Sequence, residues 1–469
     1  MTVEDIKQKL RAIPGMDVLL AQDWARPWIE RAGRETVKRV INGELTAVRR
    51  RMLAGQEEDA SPERIREACL GALTEAERPN LRRVVNATGV VIHTNLGRSL
   101  LAEEAVAAVV RTAGSYSNLE YDLDKGARGQ RNAHVEELLC ALTGAEACVV
   151  VNNNAGAILL CLAALSRGTE VVVSRGELVE IGGTFRIPDI MELSGAELVE
   201  AGTTNRTHLK DYAAAISERT SMLLKVHPSN FRMDGFTAAP ERSELAALAH
   251  ERGLLFMEDA GSGLLVDGRA LGLSGECDVR ACIEAGADIV TFSGDKMLGG
   301  PQIGVIAGRR AAVNRLREHP ILRTLRVDKM TLAAFEATMR LYAKGDLDRI
   351  PTLAMLRRAP DAMHSQARRL AAKLRRVMPA RVEVVAVEDA VGGGSYPALP
   401  LSGWGVAVGA HPAGGAGRLQ ALLREQEVPI VCGAREDALV LHVRTLTPRD
   451  EALVVEAFAR IGAEGGEDA

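Results

Sequence analysis

Lys296 has the sequence surroundings of a lysine that can react with a carbonyl group. It lies in the segment 293–304, Ser-Gly-Asp-Lys-Met-Leu-Gly-Gly-Pro-Gln-Ile-Gly, directly after the apolar run 288–292. A lysine held at the end of a buried strand is partly desolvated, which lowers the pKa of its amine and favours Schiff-base formation. The glycines allow a flat cofactor to lie close to the backbone. A glycine-rich turn with a surface lysine is the structural alternative.

Two further strand ends carry residue types that complement such a lysine. The run 254–258 is followed by Asp259, a carboxylate that could keep a pyridine nitrogen protonated. The run 147–151 is followed by a small, amide-rich segment whose backbone N–H groups could hold a phosphate at the start of a helix. The candidate phosphate-binding residues are Asn153, Asn154, Ala155 and Gly156, with Ser293 as a further cofactor contact. Together these strand ends predict a pyridoxal 5'-phosphate (PLP) enzyme of the aspartate-aminotransferase fold type.

The elements that must position these residues follow from the pattern between residues 84 and 350. Short apolar runs, among them 170–174, 221–226 and 304–307, alternate with segments of helical period. This alternation predicts an α/β domain with a mainly parallel, buried sheet and helices on both faces. Ligands of such sheets bind at the carboxyl ends of the strands. Residues 84–350 are therefore predicted to form the PLP-binding catalytic domain.

Two smaller domains are predicted to flank it. Residues 1–83 have apolar positions at helical spacing, and Ser61 before Pro62 is typical of a helix start. This helical region holds 16 Lys and Arg against 14 Asp and Glu, and its arginine run 49–51 is either a solvated helix face or an RNA contact. Residues 351–469 combine a basic helix with strands linked by glycine-rich turns, which predicts a small α+β domain.

The composition, with 47% hydrophobic and 26% charged residues, is that of a soluble globular protein. We find no run long enough to span a bilayer and no signal-peptide pattern, so a cytoplasmic protein without membrane contact is expected. A net charge of −4 means that any RNA contact must rest on a local patch. The seven cysteines lack a Cys-x-x-Cys pair and the nine histidines lack ligand spacing, so no metal site is expected.

Several long segments resemble the bacterial selenocysteine synthase family, and the resemblance covers nearly the whole chain. These segments are 85–98, 119–123, 128–131, 180–183, 202–207 and 291–296. The resemblance implies a PLP-dependent transferase of selenocysteine biosynthesis. It would convert L-seryl-tRNA(Sec) to L-selenocysteyl-tRNA(Sec) through an aminoacrylyl intermediate on PLP, with selenophosphate as the selenium donor. It also implies a homo-oligomer, a decameric ring built from dimers with active sites at the dimer interfaces.

The strand ends assign roles to the lysine and its two aspartates, and the resemblance assigns roles to the arginines and the helical domain. Lys296 would hold PLP and remove the α-proton, Asp259 would protonate the pyridine ring, and Asp295 would assist proton transfer. Selenophosphate would be bound by Arg98, Arg323 and Arg326. These arginines are free for that anion because the carboxyl group of a seryl-tRNA is esterified and uncharged. The helical domain 1–83 would bind the tRNA outside the active site.

Alternatives remain for the enzyme and for single residues. Another PLP lyase of this fold could act on free cysteine or cystathionine, and a protein that only binds tRNA could keep the fold without catalysis. By spacing alone, Arg323 and Arg326 could form ordinary salt bridges on one helix face. Lys225 also ends an apolar run and is the closest competitor of Lys296 for the cofactor.

Overall fold

The computed structural model describes residues 10–54, 61–181, 185–228, 230–273, 278–378, 380–393, 395–409 and 415–464. Gly182 and Gly183 of the family-like segment 180–183, and Cys277 among the cysteines, lie outside the described residues. The chain divides into two compact units, Met1–Arg83 and Val84–Ala469.

The first unit is helical, as predicted. Its helices are α1 (Met16–Leu20), α2 (Arg26–Ala32), α3 (Arg34–Leu53) and α4 (Pro62–Glu77). The apolar face of α3 is fully buried and follows the spacing of three and four residues that one helix face requires; it consists of Val37, Ile41, Leu45, Val48 and Met52. Ser61 caps α4 as expected, because its side chain accepts a hydrogen bond from the backbone N–H of Arg64 at 3.3 Å.

The second unit alternates strands and helices. Its strands are β1 (Val85–Ala87), β2 (Tyr121–Asp122), β3 (Ala127–Arg128), β4 (Ala147–Val151), β5 (Glu170–Ser174), β6 (Glu180–Ile181), β7 (Phe185–Arg186), β8 (Glu197–Ala201), β9 (Thr220–Val226), β10 (Leu255–Gly261), β11 (Ile289–Ser293), β12 (Gly304–Gly308), β13 (Val382–Gly392), β14 (Ser395–Val408), β15 (Ile430–Arg435) and β16 (Ala438–His442). Its helices are α5 (Glu103–Ala113), α6 (Ala133–Thr143), α7 (Asn154–Leu165), α8 (Ile187–Ser194), α9 (Leu209–Ala215), α10 (Arg242–Glu251), α11 (Val279–Glu284), α12 (Arg310–Glu318), α13 (Ile321–Thr324), α14 (Lys329–Lys344), α15 (Pro351–Leu356), α16 (Pro360–Val377), α17 (Ala416–Glu425) and α18 (Pro448–Glu464).

Seven of these strands form the central sheet, in the order β4-β12-β11-β10-β9-β5-β8. Neighbouring strands are parallel except around β12, which is antiparallel to both β11 and β4. β10, β9 and β11 therefore end at the same edge of the sheet. This edge carries the residues that follow the strands, as the sequence pattern requires.

Helices cover both faces of the central sheet. Alternate residues of one strand belong to different hydrophobic cores: Val150 packs in one core, whereas Val149 and Val151 pack in the other. The same division holds for Val172 between Val171 and Val173. Because both faces are buried, the strands read in the sequence as continuous apolar runs rather than as an alternating pattern.

A second sheet occupies the carboxyl-terminal part of the unit, in the order β1-β15-β16-β14-β13. One of its edge strands, β1, comes from the segment assigned to the catalytic domain and pairs in parallel with β15. Helices α16 and α18 pack beside the sheet, where Leu370, Val406 and Phe458 share a core. Residues 351–469 thus have the mixed α and β composition that the sequence indicates.

The predicted fold class, an α/β PLP-transferase fold with a mainly parallel sheet, a helical amino-terminal part and a small α+β part, is confirmed in its architecture. None of the helices within the described residues has the length and apolar character needed to cross a membrane.

Candidate active site

Asp259 lies near the end of β10 and is completely buried. Its Oδ1 accepts hydrogen bonds from Asn154 Nδ2 at 2.8 Å, from Thr291 Oγ1 at 3.2 Å and from the backbone N–H of Gly261 at 3.2 Å. Burial raises the pKa of Asp259, while these hydrogen bonds and the positive charge of Lys296 act in the opposite direction. Within the described part of the chain these bonds all go to Oδ1, which leaves Oδ2 as an acceptor for a cationic N–H group.

Lys296 lies three residues beyond the end of β11 and is 7% exposed. Its turn is closed by backbone hydrogen bonds from Gly294 to Ile303, from Gly300 to Gly294 and from Gly299 to the carbonyl of Lys296, at 2.8 to 3.0 Å. A larger residue does not fit at Gly294, because a Cβ atom there would lie 2.4 Å from the Ile303 side chain. The buried turn agrees with the reactive-lysine interpretation rather than with a surface lysine.

The turns that carry Asp259 and Lys296 are packed directly against each other. The backbone N–H of Met297 donates to the carbonyl of Ser262 at 3.0 Å. Gly263 adopts a positive φ of 72°, and a Cβ atom there would lie 2.2 Å from the carbonyl oxygen of Ser293. Only glycine fits this close approach. Ser293 itself ends β11 and is buried beside this contact.

The predicted phosphate-binding segment starts α7 at the end of β4. Asn153 is the N-cap, and its Oδ1 accepts a hydrogen bond from the backbone N–H of Gly156 at 2.8 Å. Helix geometry leaves the N–H groups of the first turn, including those of Asn154 and Ala155, without an acceptor inside the helix. Asn154 Oδ1 is buried and has no hydrogen-bond partner among the described residues. The free backbone N–H groups of this first turn can donate to an anion, and the side-chain amide of Asn154 links the turn to Asp259.

Arg98 lies against the lysine turn rather than in the cavity of the other two predicted arginines. Its Nη1 donates to Asp295 Oδ2 at 2.7 Å, and Asp295 is nearly buried. Ser99 adds a hydrogen bond from its hydroxyl to the carbonyl oxygen of Lys296 at 2.6 Å. Arg98 adopts a positive φ of 63°, which is uncommon for a residue with a side chain. The segment 98–99 thus braces the backbone on both sides of the Asp295–Lys296 peptide bond.

Arg323 and Arg326 line a common cavity of about 400 Å³. Arg323 lies in the short helix α13 and Arg326 in the turn that follows it, and the carbonyl of Leu325 in this turn accepts a hydrogen bond from the backbone N–H of Asn152 at 3.1 Å. A Cβ atom at Gly156 would lie 3.0 Å from Leu325 Cδ2. The arginine-bearing turn is therefore in contact with the phosphate-binding segment. The ordinary-salt-bridge alternative holds in part, since Arg326 pairs with Glu120.

Lys225, the competing lysine, is engaged elsewhere. Its Nζ lies 2.8 Å from Glu177 Oε1, and both side chains are largely buried. The second oxygen of Glu177 accepts the backbone N–H of Val226 at 2.9 Å. This pair lines a separate cavity of about 480 Å³ at the ends of β5, β8 and β9. An amine engaged by a buried carboxylate in this way is not free to attack a carbonyl group.

The sequence interpretation missed several residues of this region. Thr291 bonds to Asp259, and Ser99 bonds to the lysine backbone. Glu120 and Arg131, which form an ion pair, both line the arginine cavity. Three of these residues stand inside family-like segments, so the segments themselves were the signal that could have found them. Among the described residues, no cluster of His, Cys, Asp or Glu is arranged to hold a metal ion.

Comparison with known proteins agrees with the geometry. In fold, the chain is similar to D-glucosaminate-6-phosphate ammonia-lyase, with a TM-score of 0.57 and 22% identity over 82% of this chain and 97% of that one. In sequence, it is 46% identical to L-seryl-tRNA(Sec) selenium transferase of Geobacter sulfurreducens, over 96% of this chain and 99% of the relative. It is 53% identical to the protein of that name from Desulfomicrobium baculatum, over 82% and 83% of the two chains.

Two family profiles match as well. The profile described as selenocysteine synthase N terminal matches residues 10–49, and the profile described as L-seryl-tRNA selenium transferase matches residues 84–447. The second match alone spans more than three quarters of the chain. The resemblance predicted from the sequence segments is thereby confirmed, and the chain belongs to the L-seryl-tRNA selenium transferase family.

Proposed function

We propose that the protein converts L-seryl-tRNA(Sec) to L-selenocysteyl-tRNA(Sec), with PLP as cofactor and selenophosphate as selenium donor. The observation that carries the proposal is the linked arrangement of Lys296, Asp259 and Asn154 at one sheet edge, in a chain of this family. In the overall reaction the serine hydroxyl leaves, an SeH group takes its place on the β-carbon, and phosphate is the co-product.

The residues at the sheet edge fit PLP by their donor and acceptor chemistry. Asp259 Oδ2 is available to a pyridinium N–H, because the hydrogen bonds that stabilise this carboxylate within the described chain go to Oδ1. The first turn of α7, with the N–H groups of Asn154 and Ala155, suits the phosphate. When bound, PLP supplies an electron sink that makes the α-proton of an attached amino group acidic.

Lys296 supplies the amine that attaches the cofactor and, once released, accepts the α-proton of the seryl group. Its burial and the neighbouring Asp259 keep this amine out of bulk water. Asp295 is paired with Arg98, and this contact supports a positioning role for Asp295 beside its predicted part in proton transfer. Arg98 in turn holds the backbone of the lysine turn through its neighbour Ser99.

Arginine side chains are the proposed ligands of the selenium donor. A seryl ester carries no negative charge, so a site for this substrate needs no arginine to bind its carboxyl group. Guanidinium groups bind phosphate oxygens in a bidentate manner, which supports Arg323 and Arg326 as ligands of selenophosphate. Their turn contacts the first turn of α7, so a bound selenophosphate would lie close to the cofactor phosphate.

The first unit is the proposed contact for the tRNA. Arg49 and Arg50 are exposed on α3, outside its buried apolar face. Exposed arginines on a helix can bind RNA phosphates, and such binding weakens as salt rises. By family, we also propose a decameric ring of dimers in the cytoplasm, in which each active site lies at a dimer interface.

The decisive experiment supplies the purified, PLP-loaded protein with seryl-tRNA(Sec) and selenophosphate and measures selenocysteyl-tRNA. Free L-serine and L-cysteine serve as competing substrates. We expect selenocysteyl-tRNA with the first substrate and negligible turnover of the free amino acids. Equal turnover of free L-cysteine would favour the lyase alternative, and a purified protein that binds the tRNA but cannot be loaded with PLP would favour the non-catalytic one.

A further inference from the structure

The cavity that contains Arg323 and Arg326 is lined by more arginines than carboxylates, the latter being Glu120 and Glu318. Five arginines line its volume of about 400 Å³. They are Arg128, Arg131, Arg317, Arg323 and Arg326. The seven-stranded sheet is adjacent, because Val150 of β4 also lines the cavity. A concentration of guanidinium groups of this kind attracts anions and requires a counter-charge when no ligand is bound.

Glu120 provides that counter-charge from within the chain. Its Oε1 lies 3.3 Å from Arg131 Nη2 and also contacts Arg326. Arg131 donates a further hydrogen bond to the carbonyl oxygen of Val327. The carboxylate of Glu120 thus lies between two guanidinium groups that come from distant parts of the chain, and its side chain is about 30% exposed.

The remaining arginines of the cavity differ in how they are held. Arg317 is bound by Glu136 and by the carbonyl of Cys148, which makes it part of the wall. Among the described residues, Arg128 and Arg323 form no ion pair with a carboxylate, and both are exposed. Two arginines are therefore available to an incoming anion at once, and two more are shared by a single carboxylate.

We propose that the carboxylate of Glu120 takes the place of the substrate anion between Arg131 and Arg326 when no ligand is bound. A phosphate-type anion then displaces Glu120 from this position. A carboxylate and a phosphate present similar pairs of oxygens to a guanidinium fork, so one can replace the other. Arg131 is then a further binding residue for the selenium donor. This inference rests on the proposed function, since it concerns the same anion site.

The exchange makes the site selective by charge. An anion that displaces Glu120 has to satisfy two guanidinium groups and also reach Arg323. A doubly charged tetrahedral oxyanion can do so, whereas a singly charged ion such as chloride gains too little to release the carboxylate. Glu120 therefore weakens the binding of every anion that must displace it, and only an anion that gains more than this cost from the guanidinium groups binds tightly.

The test measures binding of inorganic phosphate to the PLP-loaded full-length protein by calorimetry at fixed low ionic strength. Glu120→Gln keeps the shape of the side chain and removes its charge. Glu336→Gln is the matched control, because Glu336 also pairs with an arginine, Arg340, and has a similarly exposed side chain, but lies outside the cavity lining. We expect phosphate to bind about tenfold more tightly to Glu120→Gln, which corresponds to about 1.4 kcal/mol, and unchanged to the control.

A loss of structure at Glu120 cannot produce tighter binding, so the expected direction is specific. Equal or weaker phosphate binding by Glu120→Gln, beside measurable binding by the unaltered protein, would overturn the inference and leave the anion site in place. Absence of phosphate binding in all three proteins would overturn both the role of Glu120 and the proposed anion site. If Glu120→Gln does not fold, Arg131→Lys decides: it should bind phosphate several-fold more weakly, and unchanged affinity would exclude Arg131 as a ligand.

Discussion

The assignment of the cofactor to Lys296 rather than to Lys225 can be tested by a matched pair of substitutions. Lys296 follows β11 and Lys225 lies near the end of β9 in the same sheet, and Lys225 is held in a buried ion pair at 2.8 Å from Glu177. Lys296→Met and Lys225→Met both keep an apolar stem and remove one amine. We therefore expect Lys296→Met to lose cofactor attachment with little loss of stability, and Lys225→Met to lose stability while the cofactor still attaches.

The structure gives the size of the expected effects on stability. Lys225→Met leaves Glu177 buried without its cation, and loss of one partner of a buried ion pair costs about 3–5 kcal/mol. Glu177 keeps the hydrogen bond from Val226, so we expect the lower end of that range. Lys296→Met leaves Asp259, whose pKa burial already raises and which can therefore take up a proton. We expect this variant to lose less than about 1.5 kcal/mol.

Two assays separate these outcomes. Borohydride reduction followed by peptide mapping locates the pyridoxyl group, and urea unfolding of the cofactor-free proteins measures stability. We expect the label on the peptide of Lys296 in the unaltered protein and in folded Lys225→Met, and none in Lys296→Met. A pyridoxyl group on Lys225 of the unaltered protein would refute the assignment, whatever the unfolding curves show.

Three further predictions follow from the site and from the first unit. Arg323→Gln and Arg326→Gln should each weaken selenophosphate binding by about 1.5–3 kcal/mol, while PLP and tRNA binding persist; Arg340→Gln is the surface control, and normal turnover in both variants would make the pair structural. Removal of residues 1–83 should leave PLP absorbance intact but abolish tight, salt-sensitive binding of tRNA(Sec) in a filter-binding assay; retained discrimination against ordinary serine tRNA would move recognition to the carboxyl-terminal region. Burial raises the pKa of Asp259, so the cofactor-free folded protein holds the carboxyl proton more tightly than the unfolded chain does. The stability that Asp259 contributes therefore falls as pH rises from the ordinary carboxyl range through the raised pKa. Asp259→Asn should remove that fall, measured as the urea midpoint, and weaken PLP binding, and an unchanged pH profile would contradict this prediction.

Most of the central sheet could be predicted because its strands are buried on both faces. The runs 147–151 and 170–174 became β4 and β5 without change, and β10 and β11 differ from their predicted runs by a few residues at their ends. β8 was missed because it is a half-exposed edge strand with the sequence Glu-Leu-Val-Glu-Ala, which has no continuous apolar run. The start of β14 could not be predicted, because this part of the strand contains prolines at 397 and 400 and proline is uncommon inside strands.

The parts of the site that follow strands could be predicted, whereas those that come from loops could not. Asp259, Lys296 and the start of α7 are local signals, each fixed by the strand before it. The contact of Arg98 with Asp295 joins residues 197 positions apart, and periodicity holds no information on such a pairing. The ion pair of Glu120 with Arg326 likewise depends on the path of a loop, so only family-like segments pointed to it.

Contacts between the strand ends join the proposed cofactor site to the proposed site of the selenium donor. The side chain of Asn154 donates a hydrogen bond to Asp259, and Asn154 is also the first residue of α7, whose first turn is the proposed site of the cofactor phosphate. Asn152, two residues earlier, holds the carbonyl of Leu325, which lies between Arg323 and Arg326 in the chain. A side chain at position 156 would press on Leu325, so glycine there keeps the arginine turn in contact with the helix start. The segment 152–156 thus connects the proposed acid for the pyridine ring, the proposed phosphate site and the proposed anion site, and a shift of this segment would disturb all three together.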